Sequence, residues 1–251
     1  HWLAPHPGTD AAVAQAMTHV ILQEYYENQP NDMFINYAKQ YSDMPFVIML
    51  DEDENGYKAG RFLRASDLGM SGENNEWKPV IQDKLSQQLL VPNGTMGQRW
   101  EEGKKWNLKL ETEDGTPIDP MLSMVESDYH VETIQFPYFD SSGDGIFERP
   151  IATRTIQLAN GEEVKIATVY DLMTSQYGVQ RFEHELEATS YDDASSKYTP
   201  AWQEQITGIK KELVTKVAKE FAQNAIDTGG RSMIIMGAGI NHWFNSDTIY
   251  R

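Results

Sequence analysis

The apolar positions Val13, Ala16, Met17, Val20 and Ile21 fall on one face of a 3.6-residue period, so the stretch around them predicts an amphipathic helix. Asp10 stands where its N-cap belongs, directly after Pro7-Gly8-Thr9. Pro30 and the asparagines beside it stop the pattern, and a second short amphipathic helix is predicted over residues 33–41. From about residue 45 to residue 170 the texture changes to short β-prone pieces separated by the turn signals Asn55-Gly56, Asn93-Gly94, Asp114-Gly115, Gly143-Asp144-Gly145 and Asn160-Gly161. The clearest piece is residues 155–169, where Ile156 and Leu158, then Val164 and Ile166, alternate on either side of Asn160-Gly161 as in a tight hairpin. Helical spacing returns over 169–177 and strongly over 207–225, with Ile209, Leu213, Val217 and Phe221 as one stripe that Thr228-Gly229-Gly230 ends. A run of buried-strand character, residues 232–236, then leads into Gly237-Ala238-Gly239.

Helix, glycine turn, apolar strand and glycine-rich exit are the parts of a parallel α/β layer. The flanks, residues 1–44 and 170–251, therefore read as one α/β domain, and residues 45–169 as a strand-and-loop insertion within it. No internal repeat or low-complexity segment interrupts this plan.

Charge and composition narrow the function. The chain carries 38 acidic against 21 basic residues, a formal charge of -17, and no basic stripe interleaved with aromatics, which argues against nucleic acid as a partner. Its longest apolar cores, residues 46–50 and 233–236, are far short of the roughly 20 residues of a membrane helix and fit buried strands. With no cysteine, the stretch holds no disulfide framework, zinc ribbon or iron–sulfur cluster. The chain begins at His1 without a methionine or leader and stops at Tyr250-Arg251 just after a strand-and-turn pattern, so both ends read as cut.

Gly8-Thr9-Asp10 at a helix start offers free backbone donors and two short oxygen-bearing side chains, which suit phosphate, ribose or the edge of a guanine. An ordinary helix cap uses the same residues, and the tetrapeptide alone leaves both readings open. Gly237-Ala238-Gly239 lacks the third glycine of a dinucleotide fingerprint and a following ribose-binding acid. Beyond it, Asn241-His242-Trp243-Phe244-Asn245 concentrates amide, imidazole and aromatic groups where α/β proteins place ligands, although a lone histidine there also serves structure. Asp140 to Gly145 imitates the opening of a calcium loop, but Ile151 occupies the position of the bidentate glutamate, so an acidic turn is expected. The six histidines show no paired ligand spacing, Asp51/Glu52 and Asp192/Asp193 sit in polar stretches suited to solvent, and Trp77, Trp100 and Trp106 are expected to anchor packing.

Three segments taken together carry a resemblance: residues 1–12, beginning His1-Trp2-Leu3-Ala4-Pro5-His6; Tyr198-Thr199-Pro200-Ala201-Trp202 with Ile206-Thr207-Gly208; and Gly237 to Trp243. The chain resembles an internal part of the alpha subunits of respiratory, membrane-bound nitrate reductases, in the molybdopterin oxidoreductase (dimethyl sulfoxide reductase) family, with a texture closest to the Gram-positive versions. Phe136-Pro137-Tyr138-Phe139 and Tyr191-Asp192-Asp193 extend the match along the chain.

The resemblance implies a Rossmann-like three-layer α/β domain with a β-rich insertion. It implies molybdenum held by two molybdopterin guanine dinucleotides, with Gly8, Thr9 and Asp10 contacting one of them. Gly237, Ala238, Gly239, Asn241 and His242 would lie beside the pterin, His242 nearest to nitrate as the catalytic candidate, while Trp202, Thr207 and Gly208 would be structural. The metal ligand and the 4Fe-4S ligands are expected outside this stretch, so no residue here is assigned to metal. The implied activity is two-electron reduction of nitrate to nitrite by the intact subunit, with an iron–sulfur beta subunit and a membrane cytochrome b gamma subunit as partners. The implied location is the cytoplasmic face of the membrane. Two alternatives stand beside this: the same scaffold acting on selenate or perchlorate, and a non-catalytic nucleotide-binding or interaction module.

Overall fold

The structure, a computed structural model, describes residues 2–94, 109–140 and 143–242. The chain divides into two compact units, one of Ile35–Ser175 and one of His1–Phe34 with Gln176–Arg251. Helix α2 (Asp32–Tyr41) and helix α3 (Val169–Gln176) carry the chain across these boundaries.

The first unit is built on a barrel. Strands β1 (Val47–Asp53) and β2 (Gly56–Phe62) form an antiparallel hairpin, its turn held by Asn55 N donating to Asp53 Oδ1 at 2.8 Å and by Gly56 at φ 125°. Strand β2 pairs in parallel with β5 (His130–Asp140), which pairs along its whole length with β6 (Gly143–Gln157). Strand β7 (Glu163–Thr168) then pairs with both β6 and β1, and the order β1-β2-β5-β6-β7 closes on itself. Closure removes the unpaired edges that an open sheet exposes. A two-stranded pair, β3 (Ile81–Gln82) with β4 (Leu89–Leu90), forms a further sheet of this unit.

Val47, Ile48, Met49 and Leu50 are buried in succession, the signature of a strand covered on both faces, and Ile134, Ile151 and Ile166 on β5, β6 and β7 are fully buried as well. The predicted 155–169 hairpin forms, but through three residues rather than two. Leu158 N donates to Glu162 O at 2.8 Å across Ala159-Asn160-Gly161, and Gly161 takes the left-handed position at φ 88°. Buried Asp171 secures the start of α3, accepting from Ser123 Oγ at 2.6 Å, Met124 N at 2.8 Å and Thr168 Oγ1 at 2.9 Å. Trp77 does not anchor the unit as expected: the residue is 63% exposed, and it bonds through its backbone, its N–H donating to Asn74 O at 3.0 Å and its carbonyl accepting from Arg64 Nη1 at 2.9 Å. Trp100 and Trp106 lie outside the described residues.

The second unit is helical. Helix α1 (Asp10–Leu22) continues into a π-helical turn (Gln23–Asn28) and packs against α4 (Pro200–Thr207) and α5 (Lys211–Thr228). The helix expected over 207–225 forms as α5, but it starts at Lys211 rather than at 207, because Gly208 adopts φ 76° and ends the preceding helix α4 at Thr207. The buried seam of α5 is Val214, Ala218, Ala222 and Ala225, while Leu213, Val217 and Phe221 are half-buried beside it. Small residues let neighbouring helix backbones approach, and α1 contributes Val13 and Ala16 to the same core as Ile209 and Val214.

The strand expected over 232–236 does not form. Met236 is 54% and Ile235 82% exposed, with Met233 and Ile234 between them, and the backbone is irregular. A strand needs a neighbouring backbone to satisfy its N–H and C=O groups, and every strand described belongs to the other unit. Among the described residues the flanks thus form helices, the strands all lie in the first unit, and the chain is a mixture of helices and strands.

Candidate functional site

The loop before α1 is shaped by Pro7-Gly8. Thr9 N donates to His6 O at 3.1 Å and Gly8 sits at φ 81°, which is a type II turn with proline and glycine in the two central positions that favour them. Thr9, not Asp10, is the N-cap; its φ of -114° is not helical, and its carbonyl accepts from Ala12 N at 3.1 Å. Its hydroxyl is committed elsewhere, donating to His6 O at 2.7 Å, so no side chain caps the helix. Asp10 is already the first helical residue. Among the described residues, the N–H groups of Asp10 and Ala11 and the carboxylate of Asp10 have no partner. The positive end of α1 and an uncommitted carboxylate thus open side by side at an exposed glycine turn.

His6, which sequence reasoning passed over, joins this turn to the end of α4. Its N–H donates to Thr207 O at 3.0 Å, and its Nδ1 stands 3.1 Å from Ile206 O. A carbonyl only accepts, so Nδ1 carries the proton of that bond. A Cβ added to Gly208 would come within 2.8 Å of His6 Nε2, so the ring rests against the bare face of that glycine. The Pro7-Gly8 dipeptide signals the turn that follows His6, but not the attachment of His6 to the end of α4, which lies 200 residues along the chain.

The second set of candidates follows α5. Gly237 is extended at φ -119°, Ala238–Asn241 form the single-turn helix α6, and His242 follows it, exposed to solvent. Among the described residues, Cβ atoms added at Gly237 or Gly239 would meet nothing within 4 Å, so packing against those residues demands neither glycine. Trp243, Phe244 and Asn245 lie outside the described residues. Among the described residues no hydrogen bond or ion pair joins the Gly8-Thr9-Asp10 turn to Gly237, Gly239 or His242, although all lie in the helical unit.

Elsewhere in the helical unit two carboxylates, Glu24 and Glu187, hold local hydrogen bonds. Burial pushes Glu24 upward, but hydrogen bonds from Lys219 Nζ (2.7 Å) and Tyr191 Oη (2.8 Å) outweigh it and hold the carboxyl below its ordinary value. Burial first, and the Glu24 carboxylate second, push the Tyr191 phenol well above its own. Glu187 accepts backbone N–H bonds from Arg181, Phe182 and His184 and so staples its loop.

In the barrel unit a cavity of about 800 Å3 opens beside Asp51, Glu52, Arg61, Asp67, Glu163 and Lys165. Its cations are engaged within the protein, Arg61 with Asp67 and Lys165 with Glu132, and it contains none of the candidate residues. Asp140 and Gly143 face each other at the end of the β5–β6 hairpin, Ser141 and Ser142 lie outside the described residues, and no described group of three His, Cys, Asp or Glu is placed to hold a metal. No helix among the described residues is long and apolar enough to cross a membrane.

Comparison with known proteins covers the whole chain. The family model for molybdopterin oxidoreductase matches residues 1–251. The chain is 53% identical over its full length to the nitrate reductase alpha chain of Bacillus subtilis and 43% identical to the respiratory nitrate reductase 1 alpha chain of Escherichia coli. It is 24% identical to the perchlorate reductase alpha subunit of Dechloromonas aromatica, again over its full length. It spans 20–21% of the length of these three relatives, about a fifth.

Proposed function

The chain belongs to the molybdopterin oxidoreductase family, and from that premise we propose that it forms part of the catalytic alpha subunit of a nitrate reductase, where it helps bind a molybdopterin guanine dinucleotide and build the pocket in which nitrate is reduced to nitrite. The observation that carries this reading is 53% identity, without a gap in coverage, to a protein named for nitrate reduction, against 24% to one named for perchlorate.

The start of α1 fits such a cofactor. Free N–H groups at a helix N-terminus suit a phosphate, an exposed glycine admits close approach, and the uncommitted Asp10 carboxylate can accept from the ring N–H and amino group of a guanine. When bound, the molybdenum–pterin group supplies two-electron removal of an oxygen atom from nitrate. The protein's part is binding, orientation and electrostatics. Gly8, Thr9 and Asp10 would hold the nucleotide end, Gly237, Ala238, Gly239 and Asn241 would contribute to the pterin side, and His242 would donate to nitrate oxygens as negative charge shifts onto them.

In the intact subunit, residues 1–44 and 170–251 belong to a Rossmann-like three-layer α/β domain, with 45–169 inserted into it. The exposed apolar run 233–236 supports this, since it is the face a strand presents when its neighbours come from other parts of the longer protein. The absence of cysteine here assigns the 4Fe-4S ligands to those other parts. The same reading assigns electron delivery to an iron–sulfur beta subunit and a cytochrome b gamma subunit, at the cytoplasmic face of the membrane.

The test uses the intact complex. Asp10→Asn should lower molybdenum and guanine nucleotide content, and His242→Ala, by removing a donor at the substrate, should lower nitrate turnover by about 10²-fold while retaining the cofactor. Unchanged turnover and an unchanged molybdenum resonance in His242→Ala would remove it from the pocket, and a marked preference for selenate or chlorate over nitrate would overturn the choice of substrate.

A further inference from the structure

We infer that His6 is a positioning residue for the cofactor: it clamps the Gly8-Thr9-Asp10 turn onto the end of α4 and thereby aims the free donors of α1. The inference rests on the reading of that turn as a cofactor contact, and deepens it by naming the residue that holds the turn in place.

His6 bonds in two directions at once. Outward, its N–H and Nδ1–H donate to Thr207 O (3.0 Å) and Ile206 O (3.1 Å). Inward, its carbonyl accepts from both Thr9 N (3.1 Å) and Thr9 Oγ1 (2.7 Å). The second inward bond is what draws the Thr9 hydroxyl away from capping α1 and leaves the first N–H groups of the helix open. One residue thus determines both where the turn sits and which donors it presents.

The surface to which His6 is fixed is itself held firmly. Thr207 Oγ1 donates to Gln203 Oε1 at 2.7 Å and accepts from Ile209 N at 3.0 Å, while Gln203 Nε2 donates to Ile209 O at 2.8 Å; both side chains are fully buried. A buried network with its partners satisfied is rigid, and it fixes the carbonyls of Ile206 and Thr207 as reference points. Gly208 completes the seat, because its bare face leaves room for the imidazole where a Cβ would stand 2.8 Å from Nε2 and 3.0 Å from Cε1. The ring is therefore located by a hydrogen bond on one side and by contact on the other.

This predicts a pattern that general destabilisation would not produce. Asparagine can present an N–H in the place of Nδ1, whereas glutamine reaches to the place of Nε2. In the intact complex, His6→Asn should retain molybdenum and pterin near the unsubstituted level. His6→Gln and His6→Ala should lose cofactor on gel filtration about two- to tenfold faster, the range of one net hydrogen bond. Deuterium exchange at the first amides of α1 should rise in the same order, with the melting temperature of the complex unchanged between the Asn and Gln variants. If His6→Ala fails to accumulate, the Asn and Gln variants, of similar bulk, carry the comparison. Equal retention in these two would overturn the role of His6. Full retention in Asp10→Asn would instead overturn the cofactor reading of the turn, and the two failures are thereby distinct.

Discussion

Val47–Leu50 lies inside the barrel, hydrogen-bonded to β2 on one side and β7 on the other and buried at every position, whereas Met233–Met236 in the helical unit is a run of the same length and similar apolarity that faces solvent. The difference is not in the side chains. Burying a Val, Ile or Met side chain stabilises by about 1.5–3 kcal/mol wherever it happens. What differs is the supply of backbone partners: the barrel closes on its own strands, and the helical unit contributes no strand among its described residues. Apolarity records a segment's need for cover, while topology decides whether this stretch of chain provides it.

The sharpest way to break that contrast is to make the same deletion in both regions. Ile151 is fully buried and Ile235 is 82% exposed. In urea unfolding of the 251-residue chain, Ile151→Ala should cost about 2–5 kcal/mol, as core truncations do, while Ile235→Ala should stay within about 0.5 kcal/mol. In the intact subunit the second value should rise toward the first. Similar costs for both in the isolated chain would mean that the run is covered within it.

A smaller version of the contrast exists within the helical unit. Gly208 and Gly229 both end helices in the left-handed conformation, at φ 76° and 65°, but an added Cβ at Gly208 would strike the His6 ring and one at Gly229 would meet nothing within 4 Å. Gly229→Ala should cost only the backbone strain, about 1–2 kcal/mol. Gly208→Ala should cost more and should raise deuterium exchange at Thr9 and Asp10. Equal costs and unchanged exchange would show that the imidazole does not press on that glycine.

These contrasts also separate what the sequence made legible from what it did not. Residues 13–21, 33–41 and 155–169 were readable because their signals are local: a helical period, a proline stop, an Asn-Gly turn. The start of the helix expected over 207–225 was placed too early because Ile209 shares the apolar period of Leu213, Val217 and Phe221, although Gly208 ends α4 and α5 begins only at Lys211. The burial of 46–50 and the exposure of 233–236 were indistinguishable, since period alone does not reveal whether a neighbouring strand exists. At the candidate site the Gly8-Thr9-Asp10 turn could be found from composition. His6 could not, because its role depends on the carbonyls of Ile206 and Thr207, 200 residues away, which only the folded chain brings near.

The smallest expected effect tests the claim that the barrel unit is self-sufficient in its charges as well as its strands. Arg61 grips Asp67 with two hydrogen bonds of 2.7 Å, and Arg64 N donates to the same carboxylate at 2.8 Å. The Arg61 hydrogen bonds, ahead of the opposing effect of burial, hold the Asp67 carboxyl below its ordinary value. A carboxyl lowered in the folded state adds stability that is complete above its unfolded pKa, about 3.9, and is lost as pH falls through the folded value. Asp67→Asn should therefore destabilise the chain at neutral pH by about 0.2–1 kcal/mol, the range of a solvent-facing ion pair. The gap between the two proteins should stay constant down to about pH 5 and then close below pH 4 as the native carboxylate takes up its proton. Added salt should narrow it at neutral pH, because Arg61 is more than half exposed and its charge is screened. A gap that instead widened on acidification would mean that Asp67 is stabilised in its protonated form, and that the Arg61 pair is not what holds this end of the barrel.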